Sequence, residues 1–196
     1  PESRMECYSA ILVDEAHLLS ADRLRLLMQL AGDRPMIFSS DCETMISPEE
    51  LDQGAMRILE ELPDIQTFRL TNRIRTNVEL SLFIRNMMCL CGRKNPRQYP
   101  HIAVLYANDE REAEALLRDY AAQGYGLRNG GSGQEEEAER LAFLLDDRYY
   151  YDEGGYLRST CRDVRHLFHQ LNCAKEELAL VVKGNEAVYA ALLDLL

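Results

Sequence analysis

The sequence predicts an α/β protein built on a doubly wound parallel sheet. Short apolar runs of strand length alternate with amphipathic helical segments along the 196 residues. Helix-start signals follow several of these runs, as expected for successive strand–helix units. The hydrophobic content of 46% is enough for a core, and the length suits one ordinary domain or two small lobes.

The elements can be placed in chain order from these patterns. Leu24, Leu27 and Met28 fall on one face of the first helix, and Ser47 and Pro48 are typical of a helix start. We expect strands at residues 10–13, 35–39, 66–70, 102–106, 141–145 and 178–182. We expect helices at residues 21–30, 48–61, 77–90, 110–123, 162–174 and 186–195.

Later in the chain, Asn108 or Asp109 can cap the helix at 110–123, and residues 183–185 end one strand and start the last helix. Residues 129–137 interrupt the alternation, because they read Asn-Gly-Gly-Ser-Gly-Gln-Glu-Glu-Glu. The part near 129–134 has the composition of a flexible linker. Both a natural loop and an artificial splice in place of a longer segment are consistent with it.

The formal net charge of −11 excludes no partner outright, but it argues against strong autonomous binding to nucleic acid. Domains that grip phosphates usually carry a basic surface. We therefore expect weak, salt-sensitive binding to nucleic acid at most. Two groups of basic residues fit such a site: Arg69, Arg73, Arg75 and Arg85 form the first, and Arg93, Lys94 and Arg97 form the second.

Cysteine usage and hydropathy indicate a soluble, cytoplasmic protein that does not contact membranes. No apolar run approaches the roughly 18 residues of a membrane span, and the polar N-terminus does not resemble a secretory signal. The cysteines are irregularly spaced, so we expect buried, reduced thiols rather than zinc ligands or disulfides. They are Cys7, Cys42, Cys89, Cys91, Cys161 and Cys173.

The most informative motif follows the first predicted strand. The apolar run at 10–13 ends in Asp14 and Glu15, followed by Ala16 and His17. Carboxylates at the carboxyl end of a parallel strand lie where open α/β sheets bind ligands. One acid can hold the Mg²⁺ of a nucleotide and the next can orient the attacking water. The alternative is an ordinary pair of acids at a helix start. A G-x-x-x-x-G-K-[ST] phosphate loop is absent from the sequence.

Asp-Glu-Ala-His is the DEAH form of the Walker B motif. The order of this and later motifs resembles superfamily 1 helicase-like P-loop ATPases. It resembles most closely the bacterial family of predicted DNA/RNA helicases and Schlafen-type ATP-binding proteins. The resemblance implies parallel RecA-like sheets flanked by helices. Residues 1–70 would be the C-terminal part of the first lobe, and residues 71–196 the second lobe.

In the first lobe, the resemblance assigns Asp14 to Mg²⁺ bound through nucleotide and Glu15 to catalysis as the base or water-positioning acid. His17 would couple the nucleotide state to the neighbouring motif. Residues 36–44 are similar to motif III, in which Asp41 matches the family, whereas Thr44 replaces a glutamine that senses the γ-phosphate. An ordinary strand end with an Asp turn is the alternative for this segment.

In the second lobe, residues 68–80 are similar to motif IV and place Arg75 as the arginine that reaches the γ-phosphate. A solvated arginine beside a helix is the alternative. Residues 133–135 resemble motif V, with Gln134 as a nucleotide-binding residue. Residues 167–182 resemble motif VI, in which Cys173 replaces the arginine finger and Lys175 replaces the second arginine, a change that is not conservative at a bidentate phosphate contact.

Two other groups of side chains allow a functional and a structural interpretation. Tyr149, Tyr150 and Tyr151 could stack nucleobases, but one buried and two surface rings in a hairpin are favoured. His166 and His169 lie three residues apart and could share a metal ion, but surface or core histidines are favoured because no third ligand is near in sequence.

These observations lead to three hypotheses. The first is a fragment of a helicase-like ATPase, inactive alone, whose full-length parent uses ATP and Mg²⁺ to translocate on or remodel nucleic acid. Its missing N-terminal P-loop region would then be a partner of this chain. The alternative is a non-enzymatic α/β interaction domain derived from that scaffold. The third is another α/β enzyme that uses Asp14 and Glu15 as bare metal ligands.

Overall fold

The computed structural model describes residues 8–41, 54–63, 65–68, 77–92, 99–128, 136–161 and 164–196. The chain divides into two compact units, Pro1–Leu70 and Thr71–Leu196, which we call unit 1 and unit 2. Both are mixed α/β assemblies with parallel strands. Among the helices within these described ranges, none is long and apolar enough to cross a membrane.

Unit 1 is organised around two short parallel strands. Strand β1 spans Ile11–Val13 and pairs in parallel with β2, which spans Met36–Phe38. A 3-10 turn at Ala16–Leu18 follows β1, and helix α1 at Ala21–Ala31 connects the two strands. Helix α2 spans Ala55–Glu60.

The core of unit 1 is small. Ala16, Leu24, Ala55 and Leu59 form its buried centre, and partly buried side chains from both strands pack against them. The Ser20 side chain caps α1 by accepting a hydrogen bond from the Arg23 amide at 3.3 Å. On the two strands, the paired side chains of Leu12 and Ile37 are 75% and 60% exposed, so one face of this sheet is open to solvent.

Unit 2 contains a four-stranded sheet in which every neighbouring pair is parallel. Its strands, in spatial order, are β3 (Ile102–Ala107), β8 (Ala174–Lys183), β5 (Ala138–Leu145) and β4 (Gly126–Arg128). The last strand in sequence is therefore inserted between two earlier ones. A separate antiparallel hairpin joins β6 (Tyr149–Tyr151) to β7 (Leu157–Ser159).

Four helices accompany this sheet in the part of unit 2 that the structure describes. They are α3 (Val78–Met88), α4 (Glu110–Ala122), α5 (Val164–Leu171) and α6 (Glu186–Leu193). Three begin at side-chain caps: Asn77, Asp109 and Asn185 each accept a backbone N–H bond from the first turn. A 3-10 turn at Leu90–Gly92 follows α3.

The centre of the unit 2 sheet is buried on both faces. Consecutive residues of β5 and β8 are buried, including Leu141–Phe143 and Ala179–Val182. This is the burial expected for parallel strands covered on both sides. Helix α4 packs Ala113 against Ala107 and Val181, at the ends of β3 and β8.

Several boundary predictions are wrong. The helix predicted at 162–174 ends at Leu171, and Ala174 already begins β8, which starts four residues earlier than expected. Residues 65–68 form no strand, and residues 69–70 of that predicted strand lie outside the described ranges. Strands β4, β6 and β7 were not among the predicted strands.

The expectation of buried thiols is also wrong for two cysteines. Cys91 and Cys161 are exposed, whereas Cys89 and Cys173 are half-buried. Cys7 and Cys42 lie outside the described residues. The Cys91 thiol donates to the Gly154 carbonyl at 2.7 Å, so even an exposed thiol has a local structural contact.

Candidate functional site

The acidic motif lies at the carboxyl ends of two adjacent parallel strands. Residues 14–17, which we call the acid turn, follow β1 directly. The register pairs Val13 with Phe38, so Asp14 and Ser39 both come one residue after a paired position. Polar residues from both strands therefore meet at the sheet edge where ligands bind in open parallel sheets.

Ser39 is bonded to the acid turn through its side chain and its main chain. The hydroxyl donates to Asp14 Oδ1, and Ser39 Oγ lies 3.3 Å from the Glu15 amide, which donates to it. The Ser39 amide donates to the Val13 carbonyl at 2.9 Å, and its carbonyl accepts from the Ala16 amide at 2.8 Å. Three hydrogen bonds thus join the turn to Ser39, the residue after β2, and a fourth joins Ser39 to the last residue of β1.

His17 forms a second connection between the strands. Its ring is fully buried, and Nδ1 accepts a hydrogen bond from the Asp41 amide at 3.1 Å. A ring nitrogen that accepts leaves the proton on the other nitrogen. Nε2 lies 3.2 Å from Glu15 Oε2, so the imidazole can donate to that carboxylate. His17 therefore links Glu15 to the segment after β2.

The backbone of Glu15 adopts an unusual conformation. Its φ of 52° and ψ of 40° lie in the left-handed region. Among the described residues other than glycine, Glu15 alone has a positive φ. Such a conformation costs a side-chain-bearing residue about 1–2 kcal/mol. The bonds from Ser39 and His17 offset this cost and hold the Glu15 carboxylate, which is 48% exposed, at the edge of the sheet.

The electrostatics favour an ionised Asp14. The hydrogen bond from Ser39 lowers the pKa of Asp14 below its ordinary value, and the bond from the Glu15 amide, at 3.0 Å, lowers it further. Both donors stabilise the charged form. The acid turn therefore presents one exposed carboxylate held by donors and a second, half-exposed carboxylate held by an imidazole. This arrangement can bind a hard cation or orient water.

In unit 2, Lys175 lies in β8 near its amino end, at the opposite end of the strand from Lys183. Its ammonium is 2.7 Å from Glu137 Oε2, and its carbonyl accepts from the Asn77 amide at 3.2 Å. Arg75 precedes Asn77 by two residues but lies outside the described residues. The structure thus joins Lys175 to the segment that follows Arg75, without describing the arginine itself.

The remaining candidate residues either lie outside the described residues or lie within unit 2. Gln134 and Thr44 lie outside the described residues, and half-buried Cys173 lies just before β8. Tyr149–Tyr151 form one strand of a hairpin, in which Tyr149 is buried and Tyr150 is 47% exposed. The Tyr151 hydroxyl donates to the Met87 carbonyl at 2.9 Å. These contacts give the run a packing role in unit 2.

No group of three or more His, Cys, Asp or Glu side chains arranged to hold a metal ion exists among the residues that the structure describes. In that part of the chain, neither Asp14 with Glu15 nor His166 with His169 belongs to such a group. An acid pair with one hydroxyl nearby suits a cation that arrives with other ligands better than a cation held by protein alone.

Sequence reasoning missed Ser39 as a site residue. A signal was present, because the first two apolar runs are each followed at once by a polar residue. If the two runs pair in parallel with their ends level, the residues after them become neighbours.

Comparison of the sequence with models of known protein families gives no match. Curated proteins give no match either.

Proposed function

We propose that unit 1 supplies the cation- and water-orienting half of a nucleoside triphosphate hydrolysis site, as in a helicase-like ATPase with RecA-like lobes. The observation that carries the proposal is the acid turn. It holds two solvent-accessible carboxylates directly after β1, beside the carboxyl end of the parallel strand β2, and it is hydrogen-bonded to residues after β2 through Ser39 and His17. An acid pair of this kind suits a magnesium–phosphate ligand.

The donor chemistry fits Mg²⁺. Asp14 and Glu15 offer hard carboxylate oxygens, and Ser39 adds a hydroxyl oxygen at the same edge. Magnesium is usually held by one or two carboxylates together with waters and substrate phosphates. Bound there, it would neutralise charge on the phosphates. Asp14 would hold it, directly or through water, and Glu15 would accept a hydrogen bond from the attacking water.

Within this proposal His17 fixes the rotamer of Glu15. The imidazole is buried and also accepts the Asp41 amide bond, so its position depends on the segment after β2. A change in that segment would therefore move the Glu15 carboxylate. In unit 2, Arg75 and Lys175 are proposed as phosphate-binding residues and Gln134 as a nucleotide-binding residue, as the family resemblance implies.

The phosphate cradle has to come from outside this sequence, because the chain contains no G-x-x-x-x-G-K-[ST] loop. We expect no measurable ATP hydrolysis by the 196-residue chain alone. Binding to nucleic acid should be weak and salt-sensitive, given the net charge of −11. If the chain does hydrolyse ATP and Glu15→Gln abolishes this turnover, the chain is active by itself.

A non-enzymatic interaction domain is the second candidate. The observation that favours it is the Lys175–Glu137 ion pair. In this pair Glu137 binds the Lys175 ammonium, which the ATPase hypothesis assigns to phosphate. The two candidates differ at the acid turn, because only a hydrolysis site requires a cation to bind at Asp14 and Glu15.

Paramagnetic Mn²⁺ tests this difference on the chain as it exists. Mn²⁺, added with and without ATP, should broaden the amide resonances of the acid turn and of Ser39 first. Asp14→Asn should remove this local effect. Asp22→Asn is the matched control, since its side chain is 95% exposed on α1 and pairs only locally with Arg25 in the described ranges. Broadening that spreads evenly over the acidic surface would contradict the hydrolase proposal.

A longer natural protein that contains this sequence after a G-x-x-x-x-G-K-[ST] loop allows the direct test. There, Arg75→Ala should lower turnover more than nucleotide affinity. Arg111→Ala, at an exposed position of α4, provides the control. An unchanged rate in the Arg75 variant would make that residue an ordinary surface arginine.

A further inference from the structure

We infer that Ser39 is the positioning residue of the acid turn, through which β2 holds Asp14 and Glu15 in a fixed relation. The inference rests on the proposed function, which it deepens by naming the residue that organises the site. Ser39 itself acts through the two acids. Its hydroxyl bonds to the Asp14 carboxylate and the Glu15 amide, whereas its main chain bonds to Val13 and Ala16, which flank the two acids.

The hydroxyl is the part of Ser39 that bonds to the Asp14 carboxylate and to the main chain of Glu15. It donates to Asp14 Oδ1 and accepts from the Glu15 amide at 3.3 Å. The Glu15 amide also donates to Asp14 Oδ1 at 3.0 Å, so the hydroxyl, the amide and the carboxylate form a closed triangle. This triangle fixes the rotamer of Asp14 and the start of the left-handed turn at Glu15 together.

The main-chain bonds of Ser39 have a different consequence. The bonds to Val13 and Ala16, at 2.9 and 2.8 Å, continue the pairing of β1 with β2 and do not depend on the side chain. A substitution that removes only the hydroxyl should therefore leave the strands paired while releasing the carboxylate. Positioning and folding can be separated experimentally for this reason.

A released carboxylate is a weaker ligand. Asp14 is exposed, so without the hydroxyl it keeps the Glu15 amide bond and samples more rotamers, and ordering it costs free energy when a cation binds. Loss of a hydrogen bond that orients a metal ligand typically lowers metal affinity about 10- to 100-fold. For an exposed acid we expect the lower end of that range.

The test compares Ser39→Thr with Ser39→Val in the full chain, because the two side chains have nearly the same shape and only threonine carries the hydroxyl. The measurement is the Mn²⁺ affinity at the acid turn, taken from line broadening of its amides. Ser39→Thr should bind as the unsubstituted chain does, and Ser39→Val about 10-fold more weakly. Ser40→Ala, at the next exposed serine, is the control and should change nothing.

Each outcome has a separate meaning. Local binding that is weakened by valine and restored by threonine supports the inference, provided that the Ala16 amide stays protected from exchange in both variants. Equal binding by the two variants overturns the role of Ser39 and leaves the proposed function standing. Absence of local Mn²⁺ binding in the unsubstituted chain overturns the proposed function, and the inference fails with it.

Discussion

Unit 1 and unit 2 are both parallel α/β assemblies, but they bury their strands to different extents. In unit 2, Phe143 and Leu180 are fully buried in central strands with neighbours on both sides. In unit 1, Leu12 and Ile37 are paired on neighbouring strands and yet 75% and 60% exposed. Apolar residues on parallel strands are normally covered on both faces.

The candidate site lies in unit 1, which has the small core. The acid turn, with its left-handed Glu15 and its buried His17, is held mainly by polar bonds to the end of β2. Unit 2 instead gains its stability from apolar burial in β5, β8 and α3. The geometry of the acid turn therefore depends on specific hydrogen bonds more than on the size of the core beneath it.

The largest effect should come from truncating the core of unit 2. Phe143→Ala removes a fully buried ring and should lower the free energy of unfolding by about 3–5 kcal/mol. Urea unfolding, together with hydrogen exchange at the Val181 amide, measures it. Leu127→Ala on β4 is the control, because Leu127 is 42% exposed. Similar losses for the two variants would show that burial does not govern this unit.

A smaller loss is expected in unit 1. Leu24→Ala empties its buried centre and should cost about 2 kcal/mol, since the partly exposed neighbours can close around the gap. Leu12→Ala should cost about 0.5 kcal/mol or less, as for most surface changes. Hydrogen exchange at the Ala16 amide reports on both. A large loss from Leu12→Ala would show that its exposed face is covered in solution.

Two substitutions of Glu15, the strained residue of the acid turn, should differ by about 1 kcal/mol in the free energy of unfolding. Glu15→Gly and Glu15→Ala both remove the carboxylate, but only glycine adopts a φ of 52° without a steric penalty. Glycine should therefore be the more stable variant by about 1 kcal/mol. Hydrogen exchange of the Ser39 amide compares the two. Equal stability would indicate that Glu15 leaves the left-handed region once its side chain is removed.

The smallest effect concerns a histidine–carboxylate pair in unit 2. His101 Nδ1 lies 3.0 Å from Glu79 Oε2, and this hydrogen bond raises the pKa of His101 above its ordinary value. The charge of Glu79 adds to the increase, as do Glu177 and Glu176 more weakly. Stability from a raised pKa is fully present below about pH 6.5 and is lost as the pH rises through the folded value.

An NMR titration of the His101 ring tests this pair. Glu79→Gln should return the pKa of His101 toward its ordinary value, and the change in stability should be small because the histidine side chain is 48% exposed. Glu114→Gln, on α4, serves as the control at another exposed acid. A pKa that does not respond to Glu79→Gln would show that the hydrogen bond is absent in solution.

Much of the secondary structure was predictable because its signals are local. The apolar runs at 11–13, 36–38 and 102–107 form strands, and Asp109 and Asn185 cap helices where the sequence places them. The amino end of β8 was missed because Lys175, Glu176 and Glu177 do not look like strand residues. This end is extended because β5 pairs with Ala174 and Glu177, with a register shift between the two pairs.

Hydrophobic spacing and capping act over a few residues, so the sequence alone predicts where the main strands and helices lie and that two acids follow the first strand. Only the tertiary structure decided that β8 lies between β3 and β5 and that Ser39 reaches Asp14 across 25 residues of sequence. It also decided the left-handed turn at Glu15. These features arise from strand pairing and from hydrogen bonds between distant residues, for which no local pattern exists.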